Sequence, residues 1–381
     1  MIPKPYGGVL KENVLSWQEA SKILNEPLKK VNLPIEHVYD AEKLGIGAYS
    51  PLEGFMNKEE YDSVLGKGVL SNGLPWSIPI ILAPPEGSMS GLSVNDQFLI
   101  NGLDGEPFAS MIIDEKYKID KGYFAEKAYG TKDIAHPNVL ELEKWGEEAV
   151  AGKVQLLKRL NVPAIQYEYT PRETRQIFET KGWKNVAAYQ ARNPPHMAHE
   201  YIQRMTLERD DIDALFIQPV IGKLKKGDYK PEIIMKAYEA FVKNYYREDR
   251  VLLGSLSIAM RYAGPKAVLL YAIIRRNYGC SHFIVGRDQA GVGHYYDPYD
   301  GQRIFDKYDV GVTPVKYDEV FYCTKCGMMV SSKVCPHGPE YHIDTSQTKI
   351  RKLLADGKPL PVEILRPEVA KILESGDVIN D

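Results

Sequence analysis

Between residues 170 and 285, short runs of β-type residues alternate with helix-length segments, and that alternation leaves few folds open. Thr170-Pro171-Arg172-Glu173 is a capping box with proline at the first helical position, which predicts a helix to Lys181. Val186, Ala187, Ala188 and Tyr189 read as a short buried strand, and apolar groups at helical spacing then continue to Leu207. The same grammar predicts strand over 214–220, helix over 231–246, strand over 250–253, helix over 265–278 and strand over 282–285. Strands linked through helices require a parallel sheet with right-handed crossovers. Ligands of such open sheets bind outside the carboxyl ends of the strands. Three polar segments, at 190–199, 218–228 and 286–293, fall at those ends, so one crevice is expected to gather them.

The first segment is dense in groups that handle anions: Gln190, Arg192, Asn193, His196 and His199. Arginine offers a planar fork to an oxyanion. The two histidines fall on the first turns of a helix, three apart and on one face, where exposed N–H groups and the helix dipole favour phosphate. An i, i+3 histidine pair can also bind metal, but no glutamate lies between them as a zinc protease needs. The segment 218–228 carries Lys223, Lys225 and Lys226, which fit either phosphate steering or a solvated surface.

A chain of 381 residues suggests two or three domains, and 44% hydrophobic with 26% charged residues is ordinary for a globular protein. A formal charge of −3 provides no global basic field for nucleic acid, so any positive site must be local. No signal-peptide core or membrane-length apolar run is read, which makes the cytoplasm the expected compartment. Up to about residue 164, β-type runs broken by turns dominate. Residues 97–101 and 107–113 flank Gly102-Leu103-Asp104-Gly105 as a hairpin, and 16–24 has a helical pattern. The first region is therefore expected to be mostly β with a few helices.

Of the four cysteines, Cys323, Cys326 and Cys335 cluster, with His337 two residues beyond the last. Three thiolates and an imidazole suit tetrahedral Zn²⁺, and a reducing compartment argues against a disulfide. Four protein ligands would close the site, making the ion structural and a folded cysteine variant still active. His342 could replace His337 as the fourth ligand. Cys280 stands apart and reads as a small buried hydrophobe.

Gln-x-Arg-Asn-Pro at 190–194 followed by His-x-x-His at 196–199 resembles the nucleotide site of the ATP sulfurylase (sulfate adenylyltransferase) family of His-x-x-His nucleotidyltransferases. Met260-Arg261-Tyr262-Ala263-Gly264-Pro265, the segment 272–279 and Phe283-Ile284-Val285-Gly286-Arg287-Asp288 are similar to the family's second block. Residues 49–56 and 74–80 are similar to its accessory-domain signatures. The resemblance implies a three-part α/β chain: a barrel-like, PUA-like domain over 1–164, a Rossmann-like adenylyltransferase domain over 165–315, and a small zinc-binding α/β subdomain over 316–381. It implies the reaction of MgATP with sulfate to give adenosine 5′-phosphosulfate and pyrophosphate, in a homo-oligomer, a dimer first; no Gly-x-x-x-x-Gly-Lys-Ser/Thr phosphate loop is read, which argues against a kinase.

By that resemblance Gln190, Arg192 and the Ala290 N–H would hold sulfate. Asn193, His196 and His199 would meet ATP, together with Gln190, Arg192, Gly286, Arg287, Asp288 and Gln289, and Arg192, Asn193, His196, His199 and Arg287 would be the catalytic groups. Ser346, in a segment similar to the related Ser-x-Thr-x-Ile-Arg motif, would contact phosphate or serve only as an N-cap. The family pattern Gly-Arg-Asp-His-Ala-Gly-Pro-Gly is altered here to Gln289 and Val292. Glutamine keeps a donor and an acceptor but cannot titrate near neutrality. The rival readings are a nucleotidyltransferase for another oxyanion and a nucleic-acid-binding module.

Overall fold

The computed structural model describes residues 1–223 and 227–380. Its centre is a five-stranded parallel sheet in the order Thr313–Lys316, His282–Val285, Val186–Tyr189, Ala214–Ile217, Val251–Leu253. Alternate residues of these strands enter different cores, as the two-residue period of a strand requires. Val186, Ala188 and Phe216 join a large core that runs into the N-terminal region through the helix Pro265–Asn277. Ala187, Tyr189 and Leu215 face a second core built with Pro231–Tyr245 and the C-terminal helices Gln347–Ala355 and Pro367–Leu373. Burial on both faces explains why these strands read as continuous apolar runs.

After Val186–Tyr189 the chain lays its next two sheet strands to one side of it and returns on the other with His282–Val285. A crevice opens where the order reverses. The loops beginning at Gln190 and Gly286 leave the two strands that flank it.

The helix Pro171–Thr180 starts as expected: Thr170 and Glu173 exchange both bonds of the capping box. In the N-terminal region the hairpin Gln97–Asn101 with Pro107–Ile112 also forms. Strands Lys29–Val31, Gln97–Asn101, Pro107–Ile112, Glu148–Leu156 and Gly54–Phe55 follow one another across a sheet, and Glu115–Lys118 pairs beside Glu148–Leu156. The region is less β-rich than expected, because its five helices hold more residues than its strands. The helix Ile35–Gly45 shows why: Glu36 through Gly45 are all buried, so no amphipathic period marks it. Its charges are met by distant partners. Lys43 and Glu42 are completely enclosed, with Lys43 Nζ 2.8 Å from Glu168 and Glu42 3.0 Å from Arg159.

A small antiparallel ribbon, Met328–Ser331, Val320–Cys323 and His342–Ile343, follows the central sheet. Among the described residues no helix is long and apolar enough to cross a membrane.

Candidate active site

Pro194 and Pro195 hold the chain extended after the strand Val186–Tyr189, and the helix Met197–Leu207 then begins with His196 as its N-cap. The Met197 N–H donates to Ile364 O at 2.9 Å, so this first donor of the helix is committed within the protein rather than to an anion. His196 and His199 do share a face, with ring centroids 3.6 Å apart. Burial pushes His196 down to about 4, and burial together with the neighbouring His196 holds His199 well below its ordinary value. Both rings are therefore neutral at pH 7, and N–H donation rather than full charge is what they offer.

The depressed value has a testable sign. His196 binds no proton in the folded protein until about pH 4, whereas the unfolded chain binds one below 6.5. Stability should thus fall as pH drops from 6.5 towards 4. For His196 alone the loss amounts to about 2–3 kcal/mol by pH 4.5. His196→Asn should flatten that limb in denaturant titrations at stepped pH; identical slopes for both proteins would contradict the buried neutral ring.

Arg192 projects from the same loop. Its Nη1 donates to the Tyr262 hydroxyl and its guanidinium lies 4.9 Å over the Tyr262 ring. Asp228 stands 3.8 Å from Arg192 and 3.7 Å from Arg351, holding two cations at one edge of the crevice. Arg351 also donates to Asn193 Oδ1 at 2.9 Å, which leaves the Asn193 amide nitrogen as the end free to face a ligand. Across the crevice, Asp288 and Ala290 both adopt positive φ, +55° and +58°, and shape a tight loop after His282–Val285. Gln289 Oε1 accepts the Gly286 N–H at 3.1 Å, so its Nε2 is a donor, buried and without a partner among the described residues. Burial raises the Asp288 carboxyl.

These segments line a cavity of about 1000 Å³. Gln190, Arg192, Asn193, His196 and His199 reach it from one side, and Gly286, Arg287, Asp288, Gln289 and Ala290 from the other. Its buried polar atoms without partners among the described residues include Gln190 Oε1, Nδ1 of both histidines and Gln289 Nε2. Orphans of this kind are rare in a folded interior; others lie elsewhere in the chain, but these four face one cavity from both of its sides, an arrangement that suits a polar ligand.

The lysine segment behaves otherwise. Lys223 is drawn away to Glu36 at 3.0 Å and Glu141 at 2.9 Å, so it is neither a phosphate group nor plain surface. Lys225 and Lys226 lie outside the described residues. Ser346 caps Gln347–Ala355 by accepting from Lys349 N–H and also reaches the cavity edge. Cys280 is buried, and burial pushes its thiol up to about 12.

The ribbon gathers Cys323, Cys326, Cys335 and His337 with all ligand atoms within 4.8 Å of one another. His337 Nδ1 lies 3.4, 3.3 and 3.7 Å from the three sulfurs, and Cys326 and Cys335 are 3.8 Å apart. Those are the edges of a tetrahedron with metal bonds of about 2.0–2.3 Å. His342 is excluded from the set: its Nε2 meets the His337 carbonyl at 3.1 Å, and its ring stacks on Phe321 at 3.6 Å. Cys335, His337, Phe321 and His342 also line the cavity, a proximity that sequence spacing does not reveal.

A sequence model of the ATP-sulfurylase family matches residues 165–376, more than half of the chain. The chain belongs to the ATP-sulfurylase family. A sulfate adenylyltransferase of Chloroflexus aurantiacus is 44% identical over 382 residues, covering 98% of this chain and 97% of that protein. One from Pyrococcus abyssi is 42% identical, covering 99% of each. A PUA-like domain matches residues 3–159. Among solved structures, one described as a hexameric APS kinase from Thiobacillus denitrificans superposes with a TM-score of 0.77 at 23% identity. It covers 98% of this chain and 68% of that one, a likeness of fold. Within an ATP-sulfurylase, the residues that sequence reading left without a role are Tyr262, Asp228 and Arg351. Tyr262 and Arg351 stood inside recognisable motifs, but their contacts to Arg192 and Asn193 span 70 and 158 residues.

Proposed function

We infer that the chain is a sulfate adenylyltransferase, joining sulfate to the adenylyl group of MgATP with release of pyrophosphate. What carries the reading is the convergence of the 190–199 and 286–293 segments on one cavity rich in unpartnered polar atoms. A sulfate oxygen forms the new bond to the α-phosphorus while the bond to the bridging oxygen of pyrophosphate breaks in line. Sulfate is already anionic, so no general base is required. The obstacle is repulsion between two anions, and positioned donors and cations are what lower it.

In this reading Arg192, Gln190 and the Ala290 N–H hold sulfate, and Arg287 faces the phosphates. Neutral His196 and His199, with Asn193 and the Gln289 amide, donate to the triphosphate and to the departing pyrophosphate. Because Gln289 is fixed as a donor by Gly286, it performs the hydrogen-bonding part of the family histidine with no dependence on pH. Residues 165–315 carry the chemistry and 316–381 the metal subdomain, and the chain works as a homodimer. Cys323, Cys326, Cys335 and His337 would hold Zn²⁺, whose closed ligand set supplies structure rather than a reactive position.

The test is ATP formation from adenosine 5′-phosphosulfate and pyrophosphate with Mg²⁺, since one site serves both directions. A robust luminescent signal is expected; none from folded protein would refute the reading.

A further inference from the structure

None of the residues lining the large cavity comes from residues 1–164, yet the N-terminal region grips the segment beneath it. Met260, Arg261 and Tyr262 belong to no helix or strand, so their backbone groups need other partners. Side chains meet that need. Arg261 N–H donates to the Tyr271 hydroxyl at 2.8 Å. Asn138 takes two groups at once, its Oδ1 accepting the Tyr262 N–H at 2.6 Å and its Nδ2 donating to Met260 O at 3.2 Å. His136 Nε2 faces Tyr262 O at 2.8 Å.

The histidine's own bonding decides its form. Nδ1 accepts the Asn138 N–H at 3.2 Å, so the ring proton must sit on Nε2 and be donated to Tyr262 O. The imidazole is enclosed and stacks on Tyr129 at 5.3 Å. Asn138 is thereby fixed from below, and Tyr262 is fixed by Asn138 and His136. Tyr262 in turn carries Arg192, through both its hydroxyl and its ring face.

We propose that Asn138, backed by His136, is a positioning residue for sulfate: it sets the Tyr262 backbone, and Tyr262 sets the Arg192 guanidinium. The N-terminal domain thus reaches the reaction at second hand, as the support of the sulfate-binding cation. This rests on the reading that Arg192 binds sulfate. A guanidinium misplaced by an ångström weakens an oxyanion contact steeply. The triphosphate partners His196, His199 and Gln289 are not held through this path.

The experiment is a double-mutant cycle of Asn138→Ala and Tyr262→Phe, reading KM for sulfate, KM for MgATP, kcat and thermal midpoint. Each single change should raise the sulfate KM about 10-fold and leave the MgATP KM within about 2-fold. The double variant should be no worse than the worse single, because both break one relay. Multiplying effects, or equal rises in both KM values, would overturn the proposal and reduce Asn138 to a structural residue. If Asn138→Ala does not fold, Asn138→Asp keeps the acceptor for Tyr262 N–H and should show an intermediate rise; an unchanged sulfate KM there also overturns it. Arg192→Ala separates the two layers. Normal turnover in that variant sinks the sulfate assignment itself, whereas a dead Arg192→Ala beside an unaffected Asn138→Ala sinks only the relay.

Discussion

Arg192→Ala should lower kcat/KM for sulfate by about 10³-fold or more while the protein keeps its fold. The size follows from what the residue does in the proposed reaction. Two anions must meet, and Arg192 is the cation whose fork is held open towards the crevice by Tyr262. Its loss also removes one of the cations beside Asp228, so repulsion between that carboxylate and the incoming sulfate is added to lost attraction. Arg192→Lys should recover little, because an ammonium cannot offer two parallel donors nor lie over the tyrosine ring as a guanidinium does. Arg192 keeps 31% of its side chain exposed and lines a crevice rather than a core, so its loss should cost only about 1 kcal/mol of stability and leave the protein folded. Steady-state rates with circular dichroism on the same samples check both halves. A folded variant with near-normal rates would remove Arg192 from the mechanism.

What could be read ahead of the structure was local. The capping box at Thr170, the apolar runs of the parallel strands and the Cys-x-x-Cys spacing each depend on residues a few positions apart, and each forms as expected. The strand order could not be read that way, since nothing near His282 says that it returns beside Val186. The helix Ile35–Gly45 was hidden for a different reason. Glu36, Asp40, Glu42 and Lys43 look like a solvated face, but each is buried against a partner supplied from far along the chain. Asp40 meets Arg261, and Lys43 meets Glu168. The same long reach concealed Asn138 and Tyr262, whose contacts across 124 residues make a catalytic loop depend on the accessory domain. His337 against His342 was left open by spacing and is decided by direction, because Nδ1 of one points at the sulfurs while Nε2 of the other points at a carbonyl.

Cys335→Ser should do more than loosen the ribbon. From spacing alone, a closed four-ligand site predicts a variant that is less stable but active once folded. The structure alters that expectation. Cys335 and His337 border the same cavity as His196 and His199, and Phe321 and His342 present their stacked edge to it from adjoining strands. The proposed zinc ion joins Cys323 on one strand to the turn carrying Cys335 and His337, and the His337 carbonyl is what His342 holds. Breaking one metal bond should therefore release the stack as well as the turn. Structural zinc sites contribute many kcal/mol of folding free energy, so the thermal midpoint should drop by about 5 °C or more. In protein kept cold enough to remain folded, the dissociation constant for a non-hydrolysable ATP analogue should rise about 10-fold, as the lost wall misplaces the nucleotide. Metal content by mass spectrometry, differential scanning calorimetry and calorimetric titration of the analogue make the test. Stoichiometric zinc in the variant would reject Cys335 as a ligand. A zinc-free, folded variant that binds the analogue normally would show that the ribbon borders the cavity without shaping it.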